Sequence, residues 1–208
     1  MSDELLPLFP LQVVLFPNSV LPLHVFEDRY KQLIDGCWIE GSEFGINLLR
    51  ENEIVKVGCS AVVTKVVKKY DDGKMDVFVQ GRRRYRLLEL VDSANLYSVG
   101  RVEILHSKEE VIDTALATET VRLHNQLVDL VYKDKGFAIE YDGQHPEISF
   151  TIALKAGMDL TQRQLVLEVN SENERLKTLH QYLSEVIPKL HKVSEVERLI
   201  ASDGYDIN

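Results

Sequence analysis

Four prolines interrupt the apolar segment at residues 6–30, LPLFPLQVVLFPNSVLPLHVFEDRY, and they limit what this part of the chain can form. Each proline fixes its own φ angle, removes one backbone donor and pushes the preceding residue toward extended geometry. A membrane-spanning helix needs about 20 apolar residues with every backbone hydrogen bond closed, so this segment does not fit one. Asp3 and Glu4 precede the run where a secretory signal would carry basic residues, and we therefore expect no signal peptide.

The same prolines predict short strands and turns instead of a helix. Pro7, Pro10, Pro17 and Pro22 recur every few residues and are four of the six prolines in the chain. The apolar residues between them must pack on a core, and we expect this of Leu8, Val13, Leu15 and Leu21.

Composition sets the broad class. A chain of 208 residues with 45% hydrophobic residues supplies a core for one or two domains. The net charge of -9, from 24 basic and 33 acidic residues, opposes attraction to phosphate backbones, so no nucleic acid partner is expected. Cys37 and Cys59 are too few for a disulfide framework, and we expect a cytoplasmic protein with both thiols buried.

Residues 1–106 are predicted to form a β-rich domain with one inserted helix. Phe26, Tyr30, Leu33, Ile34 and Cys37 have the spacing of a helix packed on a sheet. Apolar β-type runs follow at 44–49, 59–67, 75–80, 85–91 and 97–105, and Asp72-Gly73 is typical of a hairpin turn.

Residues 107–208 are predicted to form a helical bundle. Ser107 with Glu110, Thr161 with Gln164, and Ser171 with Glu174 each fit the capping-box pattern of a helix start. A further helix is expected from Pro146 to Gly157, and Pro188 should kink or end the last one.

Familiar catalytic signatures are missing from the sequence. No phosphate-binding loop, dinucleotide fingerprint, HExxH motif or nucleophile elbow occurs, so we expect neither an enzyme nor a cofactor. The six histidines show no spacing that would bring two ligands to one metal ion, and we expect no metal site.

Two segments allow more than one interpretation. The run GRRRYR at 81–86 is either a phosphate or acidic-peptide patch, or a solvated strand with one arginine in an ion pair; alternation would put Arg82, Arg84 and Arg86 on one face. The segment 133–147, KDKGFAIEYDGQHPE, either packs back on the helices or contacts a partner.

Three stretches together carry a resemblance to a known family. LPLFPLQVVLFPNSVLPLHVFEDRYKQLI, GCSAVVTKVVKKYDDGKMDVFVQGRRRYRLLEL and LTQRQLVLEVNSENERLKTLHQYL occur in this order and cover nearly the whole chain. They resemble the amino-terminal, substrate-binding domain of Lon-type ATP-dependent proteases. The positions that match the family's motifs, with an expected structural role, are Glu27, Tyr30, Gly58, Gly81, Arg84, Gln164, Glu168 and Arg175.

The resemblance implies an α+β fold, a PUA-like β pseudobarrel followed by a C-terminal helical bundle. The full proteases continue into an ATPase module and a Ser-Lys peptidase, and neither is recognisable in this sequence. It therefore implies a non-catalytic module that binds unfolded polypeptide or a protein partner. Fusions with zinc-binding RING modules also occur in the family, but two distant cysteines do not fit one.

Three hypotheses of function follow, and the first is a polypeptide-binding domain. The predicted contact residues are Phe16, Pro17, Val20 and Leu21 near the first turn, with Phe137, Ile139 and Tyr141 in the long loop. The second is RNA binding by analogy with PUA domains, which would need Arg82, Arg84, Arg86 and Arg101 on one surface. The third, a small-molecule enzyme, would need a pocket lined by residues with perturbed pKa values. Dimerisation and cooperation with a protease stay open.

Overall fold

The computed structural model describes residues 3–132 and 135–202, so residues 133 and 134 of the predicted loop lie outside the described residues. Contacts divide the chain into two compact units. The first contains the chain through Ser107 together with Asp159–Asn170, and the second contains Lys108–Met158 and the chain from Ser171. The elements in chain order are β1 Glu4–Pro7, β2 Val20–Val25, α1 Asp28–Glu40, β3 Phe44–Arg50, β4 Glu53–Lys69, β5 Met75–Val91, β6 Val99–Ile104, α2 Thr114–Val131, a 3-10 turn Lys135–Phe137, α3 Ile148–Lys155, α4 Leu160–Glu168 and α5 Glu172–Ser202.

One antiparallel sheet organises the first unit. Its strand order is β1-β6-β5-β4-β3, and β2 pairs with β5 beside this path. The register of β2 on β5 runs from Val20 opposite Gln80 to Val25 opposite Met75. The predicted runs 75–80 and 85–91 form one continuous strand, and the other predicted β runs fall within or overlap β3, β4 and β6.

The helix α1 packs on the inner face of this sheet. Tyr30, Leu33, Ile34 and Cys37 are buried, as the helical spacing predicts, in one cluster with the β5 side chains of Met75, Val77 and Val79. Phe26 is the exception, because the helix begins only at Asp28 and leaves the Phe26 ring 57% exposed. Gly41 ends the helix at φ 64°, a left-handed conformation that glycine adopts without a steric penalty.

The proline-rich segment forms two short strands joined by turns, as predicted. Leu8 and Leu15 are buried, whereas Val13 and Leu21 are partly buried against the core. Pro7 lies in β1 and Pro22 in β2, and β2 has only β5 as a neighbour among the described strands. A missing amide is tolerated at such a sheet edge.

The helix α4 belongs to the β unit, although the predicted bundle of residues 107–208 included it. The Gln164 Nε2 atom donates to the Val57 carbonyl at 3.0 Å, and one guanidinium nitrogen of Arg84 donates to the carbonyls of Leu167 and Val169. These side chains tie the helix to β4 and β5. The spacing of apolar residues shows that a helix forms, but it does not show which layer the helix covers.

Two of the three predicted helix starts are wrong. The cap of α2 is Asp113, whose carboxylate accepts from the Leu116 amide, and Ser107 lies before this helix. The cap of α4 is Asp159, which forms a reciprocal capping box with Gln162 in place of Thr161 with Gln164. A carboxylate accepts these amide bonds as well as a hydroxyl does, so nearby aspartates compete for the position. The third start is confirmed, since the Ser171 hydroxyl accepts from the Glu174 amide at 3.2 Å.

The second unit consists of α2, the 3-10 turn, α3 and α5. The predicted helix from Pro146 to Gly157 is observed as α3, two residues shorter at each end, with Gly157 at φ 74°. The last helix does not end at Pro188, because α5 continues through it to Ser202. Pro188 and Ser184, whose carbonyl loses its helical partner, are both exposed, so water can satisfy that carbonyl.

Candidate docking surface

The predicted contact residues of the first turn do not form one exposed group. Phe16 is fully buried and Pro17 is also buried, while Leu21 faces the core. The Ser19 hydroxyl closes the turn by donating to the Phe16 carbonyl at 2.6 Å. Val20 is the exception, because 55% of its surface is exposed to solvent.

The predicted loop contacts lie on the second unit and are held by backbone bonds. The Asn125 side chain donates to the Ile139 carbonyl at 2.9 Å and accepts from the Ile139 amide at 2.8 Å. The His124 Nε2 atom lies 3.2 Å from the Phe137 carbonyl, to which it can only donate. Ile139 and Tyr141 are partly buried, and Phe137 retains 38% exposure beneath the Lys155 ammonium, which lies 4.1 Å from its ring centroid. This part of the loop packs back on the helices.

Strand pairing brings a different set of side chains together on the first unit. Strands β2, β5 and β4 lie side by side, and on β2 and β5 the side chains at every second position point away from α1. On β4, register shifts between Val63 and Lys65 and between Val66 and Lys68 place every third residue opposite these positions. We call this side the outer ribbon face. Read across the three strands, its rows are Val20, Gln80 and Val62, then Pro22, Phe78 and Lys65, then His24, Asp76 and Lys68.

One half of the outer ribbon face is apolar. Val20, Pro22 and Phe78 are exposed neighbours in this register, and Phe78 keeps 36% of its surface accessible. Phe26 follows directly after β2, with its ring centroid 6.1 Å from that of His24. A single exposed apolar side chain is ordinary, but neighbouring ones on a single face are typical of docking surfaces.

The β2 edge adds a second mode of contact. Among the described strands β2 pairs with β5 alone, so its other edge has no strand partner in this part of the chain. An extended chain can pair with such an edge, and Pro22 limits that pairing by removing one donor.

A charged network lies at the end of this face. The His24 Nδ1 atom is 2.6 Å from one Asp76 carboxylate oxygen, and the Tyr70 hydroxyl donates to the other at 2.7 Å. Hydrogen bonding to His24, and then to Tyr70, lowers the pKa of Asp76 below its ordinary value. The Asp76 hydrogen bond in turn raises the pKa of Tyr70. The Lys68 ammonium lies 4.3 Å from the centroid of the Tyr70 ring.

The arginine run does not follow strict alternation. A bulge opposite Ser60 inserts one extra residue at Arg82 and Arg83, so Arg84 and Tyr85 are both buried while Arg82 and Arg86 are exposed. The expected common face of Arg82, Arg84 and Arg86 is therefore wrong. Arg83 bridges the carboxylates of Glu4 and Glu43, and Arg86 lies within ion-pair distance of Glu103, so two arginines of the run are paired where one was expected.

The arginines required for RNA binding are not gathered on one surface. Arg84 is buried, and Arg101 pairs with Glu89 at 2.8 Å. Arg86 lies 3.7 Å from Glu103. The PUA-like alternative is accordingly not favoured.

Several family-motif positions have a structural explanation in the sheet. A side chain at Gly58 would lie 2.6 Å from the Ile46 carbonyl oxygen, and one at Gly81 would collide with the Phe16 carbonyl. Tyr30 stacks on Phe9 with ring centroids 3.9 Å apart. The Glu27 carbonyl accepts the Tyr30 and Lys31 amides at the start of α1. These contacts agree with the structural role expected for these positions.

The remaining motif positions organise helix packing. Gln164 donates to Glu168 at 2.8 Å as well as to Val57, and Arg84 anchors the end of α4. In the second unit Arg175 is fully buried and pairs with Glu172 at 2.6 Å. Both Arg175 and Glu172 also bond the Ser149 hydroxyl at the start of α3.

Sequence reasoning missed Pro22, Phe26, Phe78, Lys65 and Lys68. The signal was available for Phe78, since it lies between Val77 and Val79 and must point to the opposite side from them. Nothing in the sequence pairs β2 with β5, so the neighbours of Phe78 could not be identified. Among residues 3–132 and 135–202, no three His, Cys, Asp or Glu side chains are placed to hold a metal ion. No described helix is long and apolar enough to span a membrane.

An α+β domain that presents an apolar and partly cationic sheet face has the form of a binding domain. The sequence profile of the ATP-dependent protease La (LON) substrate-binding domain matches residues 5–185, and the chain belongs to this family. The α+β fold class predicted from the sequence is confirmed. The Lon N-terminal domain protein from Xanthomonas campestris has a similar fold, with a TM-score of 0.67 at 24% identity over 85% of this chain and 96% of that one.

Other relatives agree. The N terminal domain of Mycobacterium avium complex Lon protease gives a TM-score of 0.64 at 19% identity, covering 87% of this chain and 98% of that one. The Lon protease of Bacillus thuringiensis (strain Al Hakam) is 26% identical over 191 residues, which are 86% of this chain and 24% of that protein. Lon protease 2 of Myxococcus xanthus is 28% identical over 196 residues, 87% of this chain and 24% of that protein. The chain thus spans about a quarter of the length of these curated relatives.

Proposed function

We propose that this chain is a non-catalytic polypeptide-recognition module that binds extended or unfolded segments on the outer ribbon face. The observation that carries the proposal is the adjacency of Val20, Pro22 and Phe78 on one accessible side of a sheet. The name of the family, a substrate-binding domain of an ATP-dependent protease, supports the same function.

The surface suits weak and repeated contacts. An apolar side chain that becomes fully buried contributes about 1.5–3 kcal/mol, and the outer ribbon face offers a few such anchors. Ordering a flexible segment costs part of this gain. We therefore expect dissociation constants on the order of 10–100 μM for short segments, and tighter binding for chains that carry several.

The test is binding of a permanently unfolded, fluorescently labelled polypeptide, measured by anisotropy. Phe78→Ser removes the central anchor, and Leu96→Ser is the matched control because Leu96 is 67% exposed in the same unit but outside the face. We expect Phe78→Ser to weaken binding at least tenfold and Leu96→Ser to change it less than twofold. Equal binding by wild type and Phe78→Ser would refute the assignment.

Chemical-shift mapping with the same polypeptide tests the other predicted contacts. Phe137, Ile139 and Tyr141 form a second candidate region, and Phe16, Pro17 and Leu21 should respond only through Val20. Shifts confined to residues 135–141 would move the site to the loop. A pull-down that recovers a protease subunit would assign a delivery role, and sedimentation would establish whether the chain dimerises.

A further inference from the structure

The half of the outer ribbon face on β4 carries cations that form no ion pair with another described residue. Lys65 lies beside Phe78 and Lys68 lies beside Asp76 in the strand register. Arg82 continues the same side of β5 beyond Gln80. In the described part of the chain no carboxylate forms an ion pair with Lys65, Lys68 or Arg82.

The local charge is opposite to that of the whole protein. The chain has a net charge of -9, yet Asp76 is the one acid in the nine ribbon positions named above. Asp76 is already engaged by His24 and Tyr70, although Lys68 is near enough to lower its pKa further. The face therefore has an apolar half on β2 and a cationic half on β4.

The spacing of the rows on the outer ribbon face matches the residue spacing of an extended polypeptide. The rows of Phe78 with Lys65 and of Asp76 with Lys68 are two residues apart along β5. Alternate residues of an extended chain are about 6.8 Å apart, so a segment lying along β5 can repeat at the same interval. Its successive side chains point in opposite directions, toward β2 and toward β4 in turn.

We propose that the outer ribbon face selects extended segments in which apolar and acidic residues alternate. The apolar side chains pack on Val20, Pro22 and Phe78, and the acidic ones pair with Lys65 and Lys68. This selectivity rests on the proposed function, because it names the class of polypeptide that the same surface takes. Apolar anchors on half of the face favour polypeptide over a nucleic acid backbone.

Three labelled peptides of equal length test the selectivity. The first alternates Val or Phe with Glu, the second replaces each Glu by Gln, and the third replaces each Glu by Lys. At 50 mM salt we expect the Glu peptide to bind at least tenfold more tightly than the Gln peptide, and the Lys peptide to bind least. The Glu preference should shrink at 500 mM salt, where screening shortens the Debye length to about 4 Å.

Charge variants assign the preference to the face. The double variant Lys65→Gln/Lys68→Gln should lose the preference for Glu and keep its affinity for the Gln peptide within twofold. The control Lys56→Gln/Lys192→Gln removes the same charge from exposed lysines outside the face and should keep the preference. Equal loss in both double variants would overturn the proposal, since only overall charge would then matter.

The outcomes separate the two proposals. If wild type binds Glu and Gln peptides equally and Phe78→Ser weakens both, the selectivity is refuted while polypeptide recognition stands. If Phe78→Ser weakens neither peptide, the recognition surface itself is refuted. Displacement of the Glu peptide by a single-stranded RNA of equal charge would also overturn the selectivity, because the lysines would then bind any polyanion regardless of its apolar side chains.

Discussion

Replacing Arg84 by Met should destabilise the first unit strongly, although Arg84 belongs to a run of four arginines interrupted only by a tyrosine. The side chain is 2% exposed. It donates to the Leu167 and Val169 carbonyls, to the Asn170 side chain and to the Ser107 hydroxyl, at distances of 3.0–3.1 Å. Methionine has a similar length but no donor, so all of these acceptors lose the guanidinium as a hydrogen-bond donor.

The loss of folding free energy in Arg84→Met depends on which acceptors can bind water in place of the guanidinium. The Leu167 carbonyl is buried, and an unsatisfied buried acceptor costs about 1–3 kcal/mol. The other acceptors are partly exposed and can bind water, so each lost bond there costs about 0.5–1.5 kcal/mol. The buried methionine regains part of this, and we expect a net loss of about 3–5 kcal/mol. This is a large fraction of the 5–15 kcal/mol that is typical of a folded domain.

Urea unfolding monitored by tryptophan fluorescence measures this loss. Trp38 is the single tryptophan, and it lies in α1 of the first unit. Arg86→Met is the matched control, because Arg86 is half exposed on the same strand and lies 3.7 Å from Glu103. An exposed pair of this kind contributes about 0–1 kcal/mol. If Arg84→Met were as mild as Arg86→Met, the guanidinium would not anchor α4, and the reasoning would be refuted.

Three further changes test other parts of the fold. Gly81→Ala should lower the thermal midpoint by several degrees because its Cβ would collide with the Phe16 carbonyl; an unchanged midpoint would contradict this close approach. The Ser171 hydroxyl holds the pKa of Glu110 below 4.5, so its contribution to stability is present at neutral pH and is lost as the pH falls below that value. Glu110→Gln should flatten acid unfolding monitored by circular dichroism, and an unchanged acid profile would exclude this role. Burial lowers the pKa of His124 below 6.5, so the unfolded chain binds the proton more readily than the folded one, and stability falls as the pH drops from 7.5 to 5.5. His124→Gln should reduce that fall in urea unfolding titrations. An equal fall in the variant would show that other groups cause it.

Periodicity predicted the elements well where burial on one side determines the pattern. The sequence predicts the buried face of α1 from Tyr30 to Cys37 because its apolar residues recur with the helical period of 3.6 residues. It predicts the strand around Val77 because apolar residues there recur at every second position. The Ser171 cap was also correct. These features depend on local spacing, and a single sequence contains that information.

Features that depend on distant partners could not be predicted. Nothing near Gln164 shows that its amide reaches Val57, so α4 was grouped with the wrong layer. The bulge at Arg82 and Arg83 shifts every later side chain by one position, and no glycine or proline within it marks the irregularity.

The candidate surface shows the same limit. Val20 was identified as a contact residue, but its neighbours Phe78 and Lys65 come from strands far along the chain. An exposed side chain indicates a docking surface only when its spatial neighbours are known. The sequence therefore predicted the class of protein more readily than the location of its surface.

The first unit is assembled from two separate stretches, one ending at Ser107 and the other spanning Asp159–Asn170. A ribosome that has finished only the β strands has not yet delivered the carbonyls that Arg84 contacts, so the first unit lacks these bonds until the helical insertion and α4 have been synthesised. Gene rearrangements that cut at residue 107 would separate the guanidinium from its acceptors.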